Sequence, residues 1–259
     1  KSVLEENFQE ENRLLIRQQK ENIQPKELST SQKSALTEIT TSFIQKDVVL
    51  LEGVTASGKT EVYIKLIEAQ IDKGNQVLYL LPEISLTSQI VNRLAARFGD
   101  QVSVYHSKYS IHERTEVWRK VLKTGVDGQI IVGARSAVLL PFQNLGLVIV
   151  DEEHENSYKQ FDPAPRYQAR DSAIFLAKKM SAKVLLGSAT PSIETAENVR
   201  NGKYGWVKLT ERFGGVALPK IELVNLKEAH LKKTMKGMFS FSLIEAIKKT
   251  LELGKQIIL

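Results

Sequence analysis

Residues 53–60, Gly-Val-Thr-Ala-Ser-Gly-Lys-Thr, fit the pattern G-x-x-x-x-G-K-[ST] without a mismatch. Each fixed position has a physical reason to hold phosphate. Gly53 and Gly58 let the backbone curl so that successive N–H groups point inward, and the helix start that follows adds its positive dipole end. Val54, Thr55, Ala56 and Ser57 supply the intervening amides. Lys59 is placed to reach the β- and γ-phosphates of a nucleotide, and the Thr60 hydroxyl to coordinate Mg²⁺. Such a loop needs a metal carboxylate on a neighbouring strand. Asp151-Glu152-Glu153-His154 follows the apolar run 145–150, which puts acids at the C-terminal end of a buried strand. Asp151 is the expected Mg²⁺ ligand, directly or through water, and Glu152 the group that orients or deprotonates an attacking water. A third concentration of chemistry follows at 158–171. Tyr158, Phe161 and Tyr167 lie among Lys159, Arg166, Arg170 and two prolines, a composition suited to stacking bases and contacting phosphates.

The elements that position these residues alternate strand and helix. Apolar runs rich in Val, Ile and Leu recur at 47–51, 76–81, 102–105, 129–132, 145–150 and 183–186, with helical patterns at 60–72, 85–98, 111–123 and 168–180. Continuous apolar strands separated by amphipathic helices require a parallel sheet covered on both faces. The expected fold class is therefore α/β, a lobe with a mostly parallel sheet and helices on both faces. Ser29, Thr30 and Ser31 offer N-cap hydroxyls to an earlier helix carrying Leu36, Ile39 and Phe43. Residues 1–25 read as a solvated linker helix ended by Pro25. In the tail, 204–209 and 220–226 read as strands, followed by Lys232, Lys233 and Lys236 and a helix over 242–253.

Taken together, these motifs resemble helicase superfamily 2. The phosphate loop, Asp151-Glu152-Glu153-His154 and the later Gly-Ser-Ala-Thr-Pro-Ser at 187–192 are similar to its motifs I, II and III, which implies a RecA-like P-loop NTPase fold. The segments Thr-Glu-Val-Tyr at 60–63, Leu-Leu-Pro-Glu-Ile-Ser-Leu-Thr at 80–87, Tyr-His-Ser at 105–107 and Gly-Ala-Arg-Ser-Ala at 133–137 narrow the resemblance to the bacterial replication-restart helicases. The resemblance runs from about Leu28 to the end of the chain. Ala56, where that family usually carries Gly, and Ser85 and Ala134, where it carries Thr or Gly, are small departures.

Carried over position by position, the resemblance implies several further roles. Gln32 resembles an adenine-contacting glutamine, with a plain helix N-terminal residue as the other reading. Pro82, Ser85, Thr87, Ser107, Arg135 and Ser136 resemble residues that hold the single-stranded DNA backbone. Ser188 and Thr190, with His154, resemble the groups that couple hydrolysis to DNA movement, and 158–170 resembles an aromatic-rich loop linking DNA binding to ATP turnover. The implied activity is ATP- and Mg²⁺-dependent DNA unwinding in the 3′-to-5′ direction, remodelling stalled or branched forks and loading the primosome. The implied partners are single-stranded and forked DNA, single-stranded DNA-binding protein and primosome proteins. A RecG-like translocase of the same superfamily and a nucleotide-binding switch are the alternatives.

Composition bounds the rest. The chain has 259 residues and no Cys, which leaves no disulfide, Cys-based zinc site or thiol nucleophile; the zinc of the resembled family is not expected in this stretch. No apolar run approaches the roughly 18 residues of a membrane span, and the first residues lack a secretion signal, so a cytoplasmic, nucleoid-associated, monomeric protein without membrane contact is expected. The net charge of +6 permits an anionic partner. The expected organisation is a linker over 1–25, a first helicase lobe over 26–228, and a connector with the start of a second lobe over 229–259. On that reading the second lobe with its arginine fingers is missing, and the chain alone is expected to bind nucleotide weakly, hydrolyse it poorly and not unwind DNA.

Overall fold

A computed structural model of the chain describes residues 27–212 and 220–259, apart from Ile84, Leu86, Thr87 and Lys108. The linker helix expected over 1–25 and the DNA contact expected at Thr87 lie outside the described residues. The described residues form two compact units, one up to Arg212 and one from Lys220.

The first unit is built on seven strands: β1 (Val48–Gly53), β2 (Gln76–Leu80), β3 (Val102–Tyr105), β4 (Ile130–Gly133), β5 (Leu145–Asp151), β6 (Lys183–Ser188) and β7 (Gly205–Leu209). They form one sheet in the order β3-β4-β2-β5-β6-β1-β7, with every pairing parallel. Strand side chains alternate between the faces, and here both faces are buried. Val48 and Leu50 of β1 join one apolar cluster, while Val49 and Leu51 join the other. Burial on both sides is why these strands read as unbroken apolar runs.

Helices α1 (Thr30–Gln45), α2 (Lys59–Ile71) and α3 (Ser88–Phe98) cover one face. Helices α4 (Ile111–Lys123) and α5 (Ala169–Lys179) cover the other. Helices α2 to α5 lie in crossovers between parallel strands, while β4 passes to β5 through a short 3₁₀ segment, Arg135–Leu139. A further helix, α6 (Ile193–Arg200), was not expected from the sequence. It is only 8 residues long and fully buries only Thr195, and its start is set by Ser192, whose side chain accepts from the Thr195 amide.

The strand order divides the C-terminal rim of the sheet into two arcs. β5, β6 and β1 are neighbours, so the segments after them line one arc. β3, β4 and β2 form the other, and β5 borders both.

In the second unit, α7 (Leu226–Leu231) starts at the Asn225 cap, β8 (Met235–Lys236) pairs antiparallel with β9 (Phe239–Ser240), and α8 (Phe241–Glu252) starts at the Ser240 cap. The strand expected over 220–226 does not form. Residues 220–225 are exposed and pair with no strand among the described residues, because alternation without a neighbouring edge leaves the backbone bonded to water. Residues 255–259, after α8, form no strand. No described helix is long and apolar enough to cross a membrane.

Candidate nucleotide-binding site and nucleic-acid rim

The loop at 53–60 links β1 to α2 through two left-handed residues, Ala56 (φ 63°) and Gly58 (φ 81°). Glycine takes that conformation freely, whereas Ala56 adopts it at a cost of about 1 kcal/mol. Gly58 also has no room for a side chain, since a Cβ there would lie 2.1 Å from the Gln32 amide nitrogen. Gln32 is buried. Its Oε1 accepts from the Ser29 amide (2.9 Å), closing the capping box of α1. Its Nε2 donates to the carbonyls of Ser57 (3.2 Å) and Gly58 (3.4 Å). Gln32 is thus both a helix-capping residue and a brace for the phosphate loop.

Within the loop the Lys59 ammonium donates to the Gly53 carbonyl (3.0 Å) and lies 3.6 Å from Glu152 Oε1. Phosphate oxygens are the natural replacements for both partners. The Ser57 hydroxyl is buried without a hydrogen-bond partner. A cavity of about 410 Å³ opens here, lined by Gln32, residues 54–61, Arg93, Asp151 and Glu152. Glu61 and Arg93, which form an ion pair on its wall, are lining residues that sequence reasoning missed.

The four residues from Asp151, the last of β5, to His154 point in four directions. The cause is Glu152, whose left-handed backbone (φ 46°) turns the chain sharply. Asp151 faces a cluster of phenols. Its Oδ1 accepts from Tyr63 (2.9 Å) and from the Glu152 amide (3.1 Å), and its Oδ2 accepts from Tyr79 (3.2 Å). Burial pushes the Asp151 carboxyl above its ordinary value, and the Glu152 charge adds to this while the Tyr63 hydrogen bond and Lys59 oppose it. Burial, then the Asp151 charge, holds the Tyr63 and Tyr79 phenols well above their ordinary range, so both remain neutral donors.

Glu152 turns toward Lys59. Glu153, fully buried, accepts from Arg170 (2.9 Å), the Ser192 amide (2.7 Å) and hydroxyl (3.1 Å), and Thr195 (2.9 Å). His154 Nδ1 bonds the Ser188 hydroxyl (2.8 Å), and its Nε2 lies 3.5 Å from Thr190 Oγ1. His154, Ser188 and Thr190 therefore meet, as their order along the chain suggests.

A phosphate loop facing two acids across parallel strands, with a hydroxyl pair after the strand between them, is a helicase arrangement, and residues 29–199 match the DEAD/DEAH box helicase family. The chain belongs to the DEAD/DEAH box helicases. The replication restart protein PriA of Bacillus subtilis (strain 168) is 43% identical over 238 residues, which make up 91% of this chain and 29% of that relative. PriA of Rickettsia prowazekii (strain Madrid E) is 42% identical over 261 residues, covering 100% of this chain and 39% of the relative. The chain thus spans about a third of the length of the curated relatives it matches. RecG bound to a three-way DNA junction shares the fold, with a TM-score of 0.54 at 21% identity over 75% of this chain and 25% of RecG. A hypothetical ATP-dependent RNA helicase from Sulfolobus tokodaii does so at 0.50 and 19%, over 71% of this chain and 53% of that protein.

In this helicase lobe the expected nucleic-acid residues fall on the second rim arc. Pro82 and Ser85 follow β2, Ser107 follows β3, and Arg135 and Ser136 follow β4. Ser107 is exposed and donates to Glu83 (3.4 Å). Arg135 Nη1 donates to the carbonyls of Ser157 (3.3 Å) and Lys159 (3.5 Å), tying the β4 segment to the aromatic-rich loop.

Three expectations are corrected. Tyr158 is fully buried and donates to the carbonyls of Asp151 (2.6 Å) and Leu80 (3.1 Å), so its ring cannot stack on a base. Arg170 is buried against Glu153 and Asp171 rather than offered to phosphate. Burial opposes its charge, but those two hydrogen bonds outweigh the penalty and keep the guanidinium protonated. The Pro82 side chain is buried at the end of β2. By contrast, Phe161 is 68% exposed and Arg166 is exposed, Lys159 donates to the Arg166 carbonyl (3.3 Å), and Tyr167 packs half-buried on the core. Tyr63, Tyr79 and Glu153 are the contacting residues the sequence left without a role; for Tyr63 the signal was its place in the Thr-Glu-Val-Tyr extension.

Proposed function

We propose that this chain is the ATP-binding first motor lobe of a replication-restart DNA helicase, one that uses ATP to move 3′-to-5′ along single-stranded DNA, remodels stalled or branched forks and prepares them for primosome loading. The observation that carries this reading is the cavity in which the loop at 53–60 faces Asp151 and Glu152, at 42–44% identity to PriA proteins. The donor set fits a Mg²⁺–nucleotide pair: one hydroxyl at Thr60, one carboxylate at Asp151 and a cradle of loop amides. Among the described residues no group of three or more His, Cys, Asp or Glu forms a metal cage of its own. Phosphate and water oxygens complete the coordination in sites of this kind.

Thr60 and Asp151 would hold Mg²⁺ there, and the ion would offset the charge that builds on the nucleotide's phosphates. Lys59 exchanges the Gly53 carbonyl and Glu152 for phosphate oxygens. Glu152, freed from Lys59, accepts a proton from the water aligned on the γ-phosphorus. His154, Ser188 and Thr190 sit between the acids and the segment after β6, where they sense γ-phosphate loss and pass it on. Ser85, Thr87, Ser107, Arg135 and Ser136 hold the DNA backbone, a contact mode that positions without reading sequence. Phe161 and Arg166, at the tip of the aromatic-rich loop, meet bases and phosphates. Gln32 braces the loop, and an adenine contact would require its amide to leave the Ser57 and Gly58 carbonyls. Single-stranded DNA-binding protein and primosome proteins are the expected partners, and the cytoplasm is the expected compartment. An arginine finger from a second lobe contributes roughly 10³–10⁵ in rate, so the residues of this lobe alone hydrolyse ATP slowly.

The test is ATP hydrolysis by the full-length protein with and without forked DNA, beside Lys59→Ala. Fork-stimulated turnover that falls by roughly 10²–10³-fold or more in the variant, with fork affinity retained, is expected. Turnover indifferent to DNA, or an equal loss of fork affinity in Lys59→Ala, overturns the reading.

A further inference from the structure

Asp151 is held in an unusual way for a buried acid. Apart from the amide of the next residue, its carboxylate is gripped by two phenols from two other elements. Tyr63 arrives from α2, three positions after Thr60, and Tyr79 arrives from β2, the strand beside β5. Both side chains are fully buried, and their rings meet edge to face at 5.7 Å and 75°.

Room for this grip comes from a third motif. Gly187 on β6 lies in register with Asp151. A Cβ at Gly187 would sit 1.8 Å from the Tyr63 hydroxyl oxygen and 2.9 Å from its ring carbon Cζ. Only glycine lets the phenol pass across the strand to the acid. Phenylalanine would fill the same space without a polar atom to satisfy, so core packing alone does not account for either hydroxyl.

The chemistry of the donors matters as much as their position. An ammonium or guanidinium here would neutralise the carboxylate and compete with a cation for it. A phenol fixes the carboxylate's rotation through one O–H and leaves its charge intact. We infer that Tyr63 and Tyr79 are positioning residues that orient the Asp151 carboxylate toward Mg²⁺, and that Gly187 is the clearance that admits Tyr63. This rests on the reading of Asp151 as the Mg²⁺ ligand. Hydrogen-bond partners of a metal ligand typically change metal affinity 10- to 100-fold when removed.

The experiment measures binding of a fluorescent ADP analogue as Mg²⁺ is titrated, in wild type, Tyr63→Phe, Tyr79→Phe, Gly187→Ala and the Tyr63→Phe/Gly187→Ala pair. The Mg²⁺ concentration for half-maximal binding should rise roughly 10-fold in each tyrosine variant, while binding in EDTA stays at the wild-type level. Gly187→Ala should reproduce the shift and add little to Tyr63→Phe, since both remove one contact. If Mg²⁺ promotes wild-type binding but both tyrosine variants stay within about twofold of it, the inference is overturned and the functional reading stands. If wild-type binding is indifferent to Mg²⁺, the metal reading fails and the inference with it. Thermal melting of each variant checks folding, and Tyr79→Phe tests the same role independently of Tyr63.

Discussion

The nucleotide cavity and the aromatic-rich loop border the same strand end, yet they are held by different kinds of contact. Around the cavity, side chains reach partners far away in sequence: Tyr63 is 88 residues from Asp151, Tyr79 is 72, Thr195 is 42 from Glu153, and Ser188 is 34 from His154. In the loop, apart from the Arg135 bond to the Lys159 carbonyl, the bonds between its two ends are local. Gln160 donates to the carbonyls of Pro163 and Pro165, Lys159 to that of Arg166, and a single antiparallel bridge joins Lys159 to Gln168. Tyr158 and Arg170 anchor the two ends of the loop in the core, and the tip stands in solvent. The geometry of the acids is thus imposed by the whole fold, as a preorganised electrostatic site requires. The tip is left exposed, free of contacts with the core.

The largest effect that would break this contrast lies at Glu153. In Glu153→Ala the Arg170 guanidinium loses its buried partner, and Ser192 and Thr195 lose their acceptor. Stability should fall by roughly 3–5 kcal/mol, read by chemical denaturation; a loss under about 1 kcal/mol would place Glu153 with surface ion pairs instead. Phe161→Ala should do the opposite, weakening single-strand affinity by roughly 1–3 kcal/mol at unchanged stability. A drop in melting temperature at unchanged affinity would show the tip to be packing. The smallest effect concerns Asp151. Its carboxyl holds a proton more tightly folded than unfolded, so stability falls as pH rises from the ordinary carboxylate value through the raised one. Asp151→Asn should therefore melt higher than wild type at pH 8, by a few °C at about 2–4 °C per kcal/mol, with the gap closing near pH ~4. Equal melting at both pH values would mean that the phenols and the Glu152 amide already offset the buried charge.

Much of the fold was legible because its strands are buried on both faces and its helices carry periodic apolar stripes. α4 begins and ends where the pattern placed it. α6 was hidden because it is short and buries little, and 220–226 misled because alternation without a partner strand is not a strand. The loop at 53–60 was legible residue by residue, since its function lies in its own backbone.

Asp151 and Glu152 were legible as acids after a buried strand, but their neighbours were not. Nothing local separates the solvent-facing tip of 158–170 from its two buried anchors, or the cavity-lining Glu152 from the buried Glu153.

The sequence by itself therefore determined the phosphate loop, the alternation of strands and helices, and the order of the motifs, because each depends on residues close along the chain. The tertiary structure alone decided which acids face the cavity, why Gly187 has no side chain, and how the rim of the sheet divides into two arcs. Those depend on the left-handed turn at Glu152 and on the order β3-β4-β2-β5-β6-β1-β7, which brings together residues that are distant in the chain.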